Sequence, residues 1–137
     1  MWNPDIVDVD ILLSSSQIMH LVVTVIEKQV TFHAAFVYAF NYYLDRVPLW
    51  RSIQNIANSS SDIPWIIMGD FNVVRHPSEI VGGKSAWPPY MEDLNTCCFE
   101  AQLDDLKFFG HHLTWDNRGH SGNFISRKLD RVLSNSI

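Results

Sequence analysis

Cysteine is nearly absent: the 137 residues hold two, adjacent at Cys97 and Cys98. Neighbouring alpha carbons stand too close for ordinary disulfide geometry. That excludes a disulfide-stapled scaffold and leaves two reduced thiols on a helix, as suits a reducing compartment. Positive charge is also short. Ten Lys and Arg against fifteen Asp and Glu give a net charge of −5, which argues against a non-specific nucleic-acid binder working through a basic face. A site built around a cation escapes part of that argument, because it needs carboxylates and the cation reverses the local sign. Long apolar runs are missing too. Val22 to Ile26 is too short to span a bilayer. The opening Met1-Trp2-Asn3-Pro4-Asp5 has neither a basic n-region nor an apolar h-region. No internal repeat or low-complexity tract is present. What remains is a chain that is 47% apolar, with eight Phe and five Trp. That suffices for the core of one domain and is too little for two.

Local patterns predict an alternation of strands and helices. Ile6 to Leu13 alternates apolar residues with Asp8 and Asp10, as a half-exposed strand does. Ile18 to Glu27 and Val30 to Phe40 follow as strands of an antiparallel meander, with a turn at Lys28-Gln29. Val30, Phe32, Ala34 and Phe36 share one face of the third. Leu44, Val47, Trp50, Ile53 and Ala57 then recur at helical spacing, with Pro48 tolerated in a first turn that begins near Val47. Pro64 to Met68 is a short continuous apolar run, the pattern of a buried central strand. Residues 75–90, with Pro77, Gly82, Gly83, Pro88 and Pro89, read as a long surface loop. A second helix is predicted over Tyr90 to Leu106, with Gly110 placed to cap it. Short strands follow at His112 to Trp115 and Phe124 to Leu133, around a turn-rich loop at Asp116 to Gly122. Mixed strands with helices between them imply a layered α/β structure.

The chemistry-bearing residues gather at predicted strand ends. Gly69-Asp70-Phe71-Asn72 closes the apolar strand, where active sites of open α/β sheets lie. In extended backbone Asp70 and Asn72 point to one side and Phe71 to the core. A carboxylate that orients or deprotonates a water, beside an amide that donates to a phosphate oxygen, is a phosphate-handling pair. The structural alternative is an Asx turn after a strand. Tyr38 and Asn41 stand at the end of the third strand, a position common for Tyr and Asn in any protein. Asp130 interrupts an apolar strand and needs either a polar site or an ion pair with Arg127, Lys128 or Arg131. Thr114 and Trp115 precede a polar loop, where an aromatic either stacks on a base or covers a core edge. His111, His112 and His120 match no closed zinc spacing and read as surface residues. His76 and Glu79 in the Pro-rich loop carry little signal.

Three segments in this order and spacing carry a resemblance: Pro64-Trp65-Ile66-Ile67-Met68-Gly69-Asp70-Phe71-Asn72, then Leu113-Thr114-Trp115-Asp116-Asn117, then Leu129-Asp130-Arg131-Val132-Leu133. The chain resembles the endonuclease/exonuclease/phosphatase superfamily, and most nearly the apurinic-endonuclease-like domain of plant LINE-type (non-LTR) retrotransposons. Arg75-His76-Pro77-Ser78-Glu79 and Gly82-Gly83-Lys84 also look like that group.

The resemblance implies an α/β fold of four-layer sandwich type, here incomplete, over residues 1–137. It implies Asp70 as the residue activating water, Asn72 as its partner amide, and Tyr38 near the scissile phosphate. It implies Asp130 as the aspartate that orients a catalytic histidine, with Asn41, Thr114 and Trp115 in the substrate groove. The complete domain uses Mg²⁺ or Mn²⁺ and acts on DNA, inside the cell, in nucleus or cytoplasm. The family's opening strands, with an asparagine and the metal-binding glutamate, are not matched here. Nor is its closing Ser-Asp-His segment, so no complete metal site is expected. Three readings follow: a fragment inactive by itself that self-associates through exposed core faces; a working endonuclease or phosphatase within a longer chain; and a non-catalytic binding or structural module.

Overall fold

The computed structural model describes residues 2–84, 86–119 and 122–137. Strands β1 (Val7–Ser14), β2 (Ile18–Val25) and β3 (Val30–Tyr38) form the expected antiparallel meander. The register of β1 shifts between Ile11 and Leu13. The Ser15 hydroxyl accepts the amides of Gln17 and Ile18 and closes the first turn. The second turn begins earlier than predicted, at Ile26, and Gln29 takes a left-handed φ of 50° there.

Helix α1 (Val47–Ser59) starts at the predicted residue, with Pro48 in its first turn, where a missing N–H costs nothing. Its buried face is Leu49, Ile53 and Ile56, so the predicted stripe is rotated. Leu44 and Val47 remain exposed, and Trp50 and Ala57 are only partly covered. The helix carries the chain over to β4 (Trp65–Asp70), which pairs parallel to β3 and ends two residues later than predicted.

The next segment departs from the prediction. Residues 75–90 are not all loop: a 3₁₀ turn at Pro77–Glu79 leads into β5 (Ile80–Gly82). The second helix is shorter than its pattern, with a 3₁₀ turn at Pro89–Glu92 and α2 at Asp93–Glu100. Gln102, at φ 54°, ends it while the amides of Ala101 and Leu103 bond back to Cys97 and Cys98. The chain then extends as β6 (Asp104–Asp105). Cys97 and Cys98 are free and buried, and burial pushes their thiols up to about 12 and about 11.

Strand β7 is only Trp115–Asp116, and the predicted strand over Phe124 to Leu133 splits into β8 (Ile125–Arg127) and β9 (Asp130–Ser134). The split falls where the Thr114 hydroxyl accepts both the Leu129 and Asp130 amides. It lets one segment serve two sheets. The larger runs β1-β2-β3-β4-β9-β6 and the smaller β5-β8-β7. Among the described residues no helix is long and apolar enough to cross a membrane.

The two helices cover one face of the large sheet. Ile18, Ala35, Val37, Trp65, Ile67 and Leu133 point into a core shared with Leu49, Ile53, Leu94 and Cys98. The alternate residues face the other way, and nothing among the described residues covers them fully: Met19, Phe36 and Val132 stand exposed. The apolar set read from β3 lies on this open face. The architecture is therefore a mixed α/β sheet with helices on one side, without the further layers of a four-layer sandwich among the described residues.

On the helix side His20, His33 and Ser60 are buried in a chain of hydrogen bonds. His33 Nδ1 lies 2.9 Å from both His20 Nε2 and the Ser60 hydroxyl. Burial lowers both imidazoles, and for His20 the neighbouring His33 adds to it. The unfolded chain therefore takes up protons first as pH falls below the ordinary histidine value of about 6.5. Stability present above that pH is lost on acidification through it. Thermal melts should show Tm falling between neutral pH and mildly acidic pH, and His33→Gln should flatten that slope; an unchanged slope would remove the pair from the account.

Candidate active site

The site begins with a glycine. Gly69 has φ 140°, and a β-carbon there would lie 1.9 Å from the Val37 carbonyl oxygen. Only a residue without a side chain lets β4 pass this close to β3. The pairing then continues in register: Tyr38 lies beside Asp70, and Asp70 opposite Asp130. Three predicted residues thus form one row across three adjacent strands. All three point to the open face, since Val37, Phe71 and Arg131 between them are buried on the other. Tyr38 is 70% exposed, Asp130 is exposed and Asp70 is half-buried.

Two carboxylates side by side resist joint ionisation. Burial raises the Asp70 carboxyl above its ordinary range, the Asn72 amide that donates to it pulls it back, and Asp130 pushes it up again. A cation or a donor placed over the row would relieve that repulsion.

Asn72 does not stay on the extended track the sequence suggested. Its φ is 51°, and its amide donates to Asp70 Oδ1 at 2.8 Å, so the Asx turn is present. Its carboxamide Nδ2 donates to the Ala39 carbonyl, tying the loop after β4 to the loop after β3. Asn41 is exposed, and its carbonyl accepts from Arg46. Arg46 was not legible as a site residue. It is buried, and one of its Nη atoms donates to the carbonyls of Phe40, Asn41 and Asn72. This clamp fixes both loops that frame the row. Gln17 assists by accepting the Phe40 amide and donating to the Asp45 carbonyl.

Thr114 holds Asp130 from behind through the hydrogen bonds already described. Trp115 is 44% exposed on β7, and its carbonyl accepts the Ser126 hydroxyl. A cavity of about 540 Å³ opens beside Asp130, lined in part by Met68, Val132, Leu106, Phe108, His111 and His112. The two histidines are exposed, as read from sequence, yet share this cavity with Thr114 and Asp130. His120 lies outside the described residues.

Asp130 does not form the ion pair with Arg131 that the sequence allowed. Arg131 points the other way, into a buried charge cluster, donating to Glu79 at 2.6 Å and to Asp105 at 3.0 Å. Lys128 and Arg75 complete it around Asp105. Glu79, read as a loop residue, is buried and also accepts the Arg75 amide. Burial opposes its charge, but Arg131 and the two amides it accepts outweigh that and hold its carboxyl below the ordinary range. The same balance, led by Arg131, lowers Asp105.

Among the described residues no three His, Cys, Asp or Glu side chains cluster where they could hold a metal. Asp70 and Asp130 offer two carboxylates, fewer protein ligands than a resident divalent cation takes. The residues do not by themselves fit a tightly held cation.

No family model matches the chain, and no curated protein matches it. Solved structures do. A β-hairpin deletion mutant of beta toxin from Staphylococcus aureus aligns with a TM-score of 0.57 at 15% identity, over 88% of this chain and 44% of that one. The human Nocturnin catalytic domain with bound sulfate anion aligns at a TM-score of 0.48 and 17% identity, over 95% of this chain and 46% of that one. The chain thus spans less than half the length of either. The beta toxin alignment establishes a shared fold and nothing further.

Two stability predictions follow from this geometry. Gly69→Ala should cost on the order of 3 kcal/mol, since strain and a backbone clash combine; a urea midpoint near that of the parent chain would contradict it. Glu79→Gln leaves Arg131 buried with a neutral partner and should cost about 3 kcal/mol. Because the Glu79 carboxyl is lowered on folding, its contribution is present above about pH 4.5 and disappears as pH falls through its folded value. The variant should therefore lose its deficit relative to the parent in acid melts.

Proposed function

We propose that this chain is part of the scaffold of a divalent-metal-dependent phosphodiesterase of the endonuclease/exonuclease/phosphatase type, most akin to the DNA endonuclease domain of plant LINE-type retrotransposons, and that by itself it does not turn over. The row Tyr38–Asp70–Asp130 carries this reading. Sequence motifs some 90 residues apart meet side by side at strand ends on one exposed face, as a phosphate-handling site requires.

In that scaffold Asp70 takes the proton of the attacking water, and its raised carboxyl suits that exchange. Tyr38 donates to a phosphoryl oxygen. Asp130, held by Thr114, orients a basic partner supplied from outside this row. Asn72 and Asn41 work mainly through the Arg46 clamp, keeping the loops in place. Trp115 and Thr114 edge the groove along which DNA lies. The metal, Mg²⁺ or Mn²⁺, supplies charge neutralisation in the complete domain. This row offers it too few ligands for tight binding, so turnover needs groups beyond those described. Missing one preorganised donor costs about 3 kcal/mol of transition-state stabilisation, and here more than one is wanting. An intracellular setting, nuclear or cytoplasmic, accompanies this reading.

Purified chain incubated with supercoiled plasmid and Mg²⁺ or Mn²⁺, beside Asp70→Ala prepared identically, tests it. Folded protein should give no nicking above the variant. Nicking that requires both metal and Asp70 would show that the chain assembles a working site and overturn the inactive reading.

A further inference from the structure

The small sheet carries a row of its own. Arg127 on β8 lies in register with Ile80 of β5 on one side and Trp115 of β7 on the other. Paired residues share one face of a sheet, so the three stand together. Beside them opens a cavity of about 730 Å³, lined in part by Lys84, Arg127, Asn117, Asn123 and Tyr90. Glycine shapes one wall. Gly82 has φ 80°, and a β-carbon there would lie 2.0 Å from the Phe124 carbonyl oxygen. Without one, β5 meets β8 closely and the turn that follows brings Lys84 to the cavity. Asn117 fixes the other wall. Its Oδ1 accepts the amides of Gly119 and Ile125, and its Nδ2 donates to the Asn123 carbonyl.

The charge of this cavity runs against that of the chain. The net charge is −5, yet the charged residues lining the cavity, Lys84 and Arg127, are both cations. Three carboxylates neighbour lining residues in sequence, and each is engaged elsewhere. Glu79 pairs with Arg131, Glu92 accepts the Trp87 indole, and Asp116 accepts the Arg118 amide. Among the described residues neither Lys84 nor Arg127 forms an ion pair, and the Arg127 Nε is buried without a hydrogen-bond partner. A buried donor left unpaired is costly. A phosphate oxygen pair on the guanidinium fork satisfies it and an Nη together. We propose that this cavity holds a phosphodiester group of a nucleic-acid strand, gripped by Arg127 and Lys84. Asp130 follows Arg127 by three residues, at most about 10 Å of extended chain. That is about three nucleotides at a rise of about 3.4 Å each. The choice of a nucleic acid over a free phosphate rests on the phosphodiesterase reading; the anion site does not.

Fluorescence anisotropy of a short labelled DNA duplex, without added metal, tests it. The chain should bind. Arg127→Gln should weaken binding about 10-fold and Lys84→Gln about 3-fold, and each should reduce the slope of log affinity against log salt by about 1. Arg127→Lys should keep the parent's salt slope, which a merely structural role for Arg127 does not predict. Arg51→Gln, on the exposed side of α1, should leave the affinity unchanged. DNA binding indifferent to both Lys84 and Arg127 would overturn the site. Inorganic phosphate that raises the Tm of the parent but not of Arg127→Gln, with no DNA bound, would overturn the nucleic-acid source and assign a free phosphate ligand. Folded chain that responds to neither would overturn the site outright. Nicking in the plasmid assay would refute only the inactive reading, because anisotropy reads binding and needs no turnover.

Discussion

The close passage of β4 against β3 at Gly69 is the constraint on which the rest of the site depends. It places the backbone of one strand where a side chain of any other residue would stand. With that gap closed, the parallel register locks and Tyr38 and Asp70 become neighbours. Asp130 joins from the other side through the antiparallel pairing of β9. A one-residue slip in either register would turn a member of the row into the core, because alternate residues of a strand face opposite sides. Strand register thus sets the chemistry of this site as much as residue identity does.

Two buried arginines hold that register from different directions. Arg46 gathers carbonyls from both loops that follow β3 and β4, satisfying polar groups that would otherwise be stranded near the core. Arg131 does the same for the charged groups under β9, pairing with Glu79 and Asp105. Buried ion pairs of this kind contribute little net stability against an apolar substitute, but they penalise any arrangement that leaves a partner alone. Here they tie the short second sheet, through Glu79 and Lys128, to the strand that bears Asp130. Among the described residues Asp130 stays out of the ion-pair network, and its carboxylate stands exposed on the open face.

The fold is lopsided in a way that bears on function. One face of the large sheet has a packed helical layer and the other has the acidic row and an apolar expanse. Whatever covers that expanse sits directly beside Asp70 and Asp130, so association and site chemistry are neighbours. A covering layer would lower the local dielectric and raise the cost of keeping two adjacent carboxylates charged without a cation or donor between them.

The sequence by itself determined the order of the main elements, the apolar run of β4, the start of α1 at Val47 and the inward turn of Phe71. These rest on local rules: periodicity, proline placement and alternation along a strand. The sequence also marked Tyr38, Asp70 and Asp130 individually through the motifs they sit in. Only the tertiary structure decided that these three form one row, because pairing between distant strands is not a local property. It likewise decided the early end of α2, where Gln102 turns left-handed, and the split of the last strand at Lys128 and Leu129, where Thr114 takes up two amides. Arg46 and the His20–His33–Ser60 chain carried no signal in sequence and the burial of Glu79 carried none, since a polar residue in a loop or strand reads as exposed until its partners arrive. The open face shows the same limit: Val30, Phe32, Ala34 and Phe36 read as one face of the third strand, and periodicity cannot say which layer covers it.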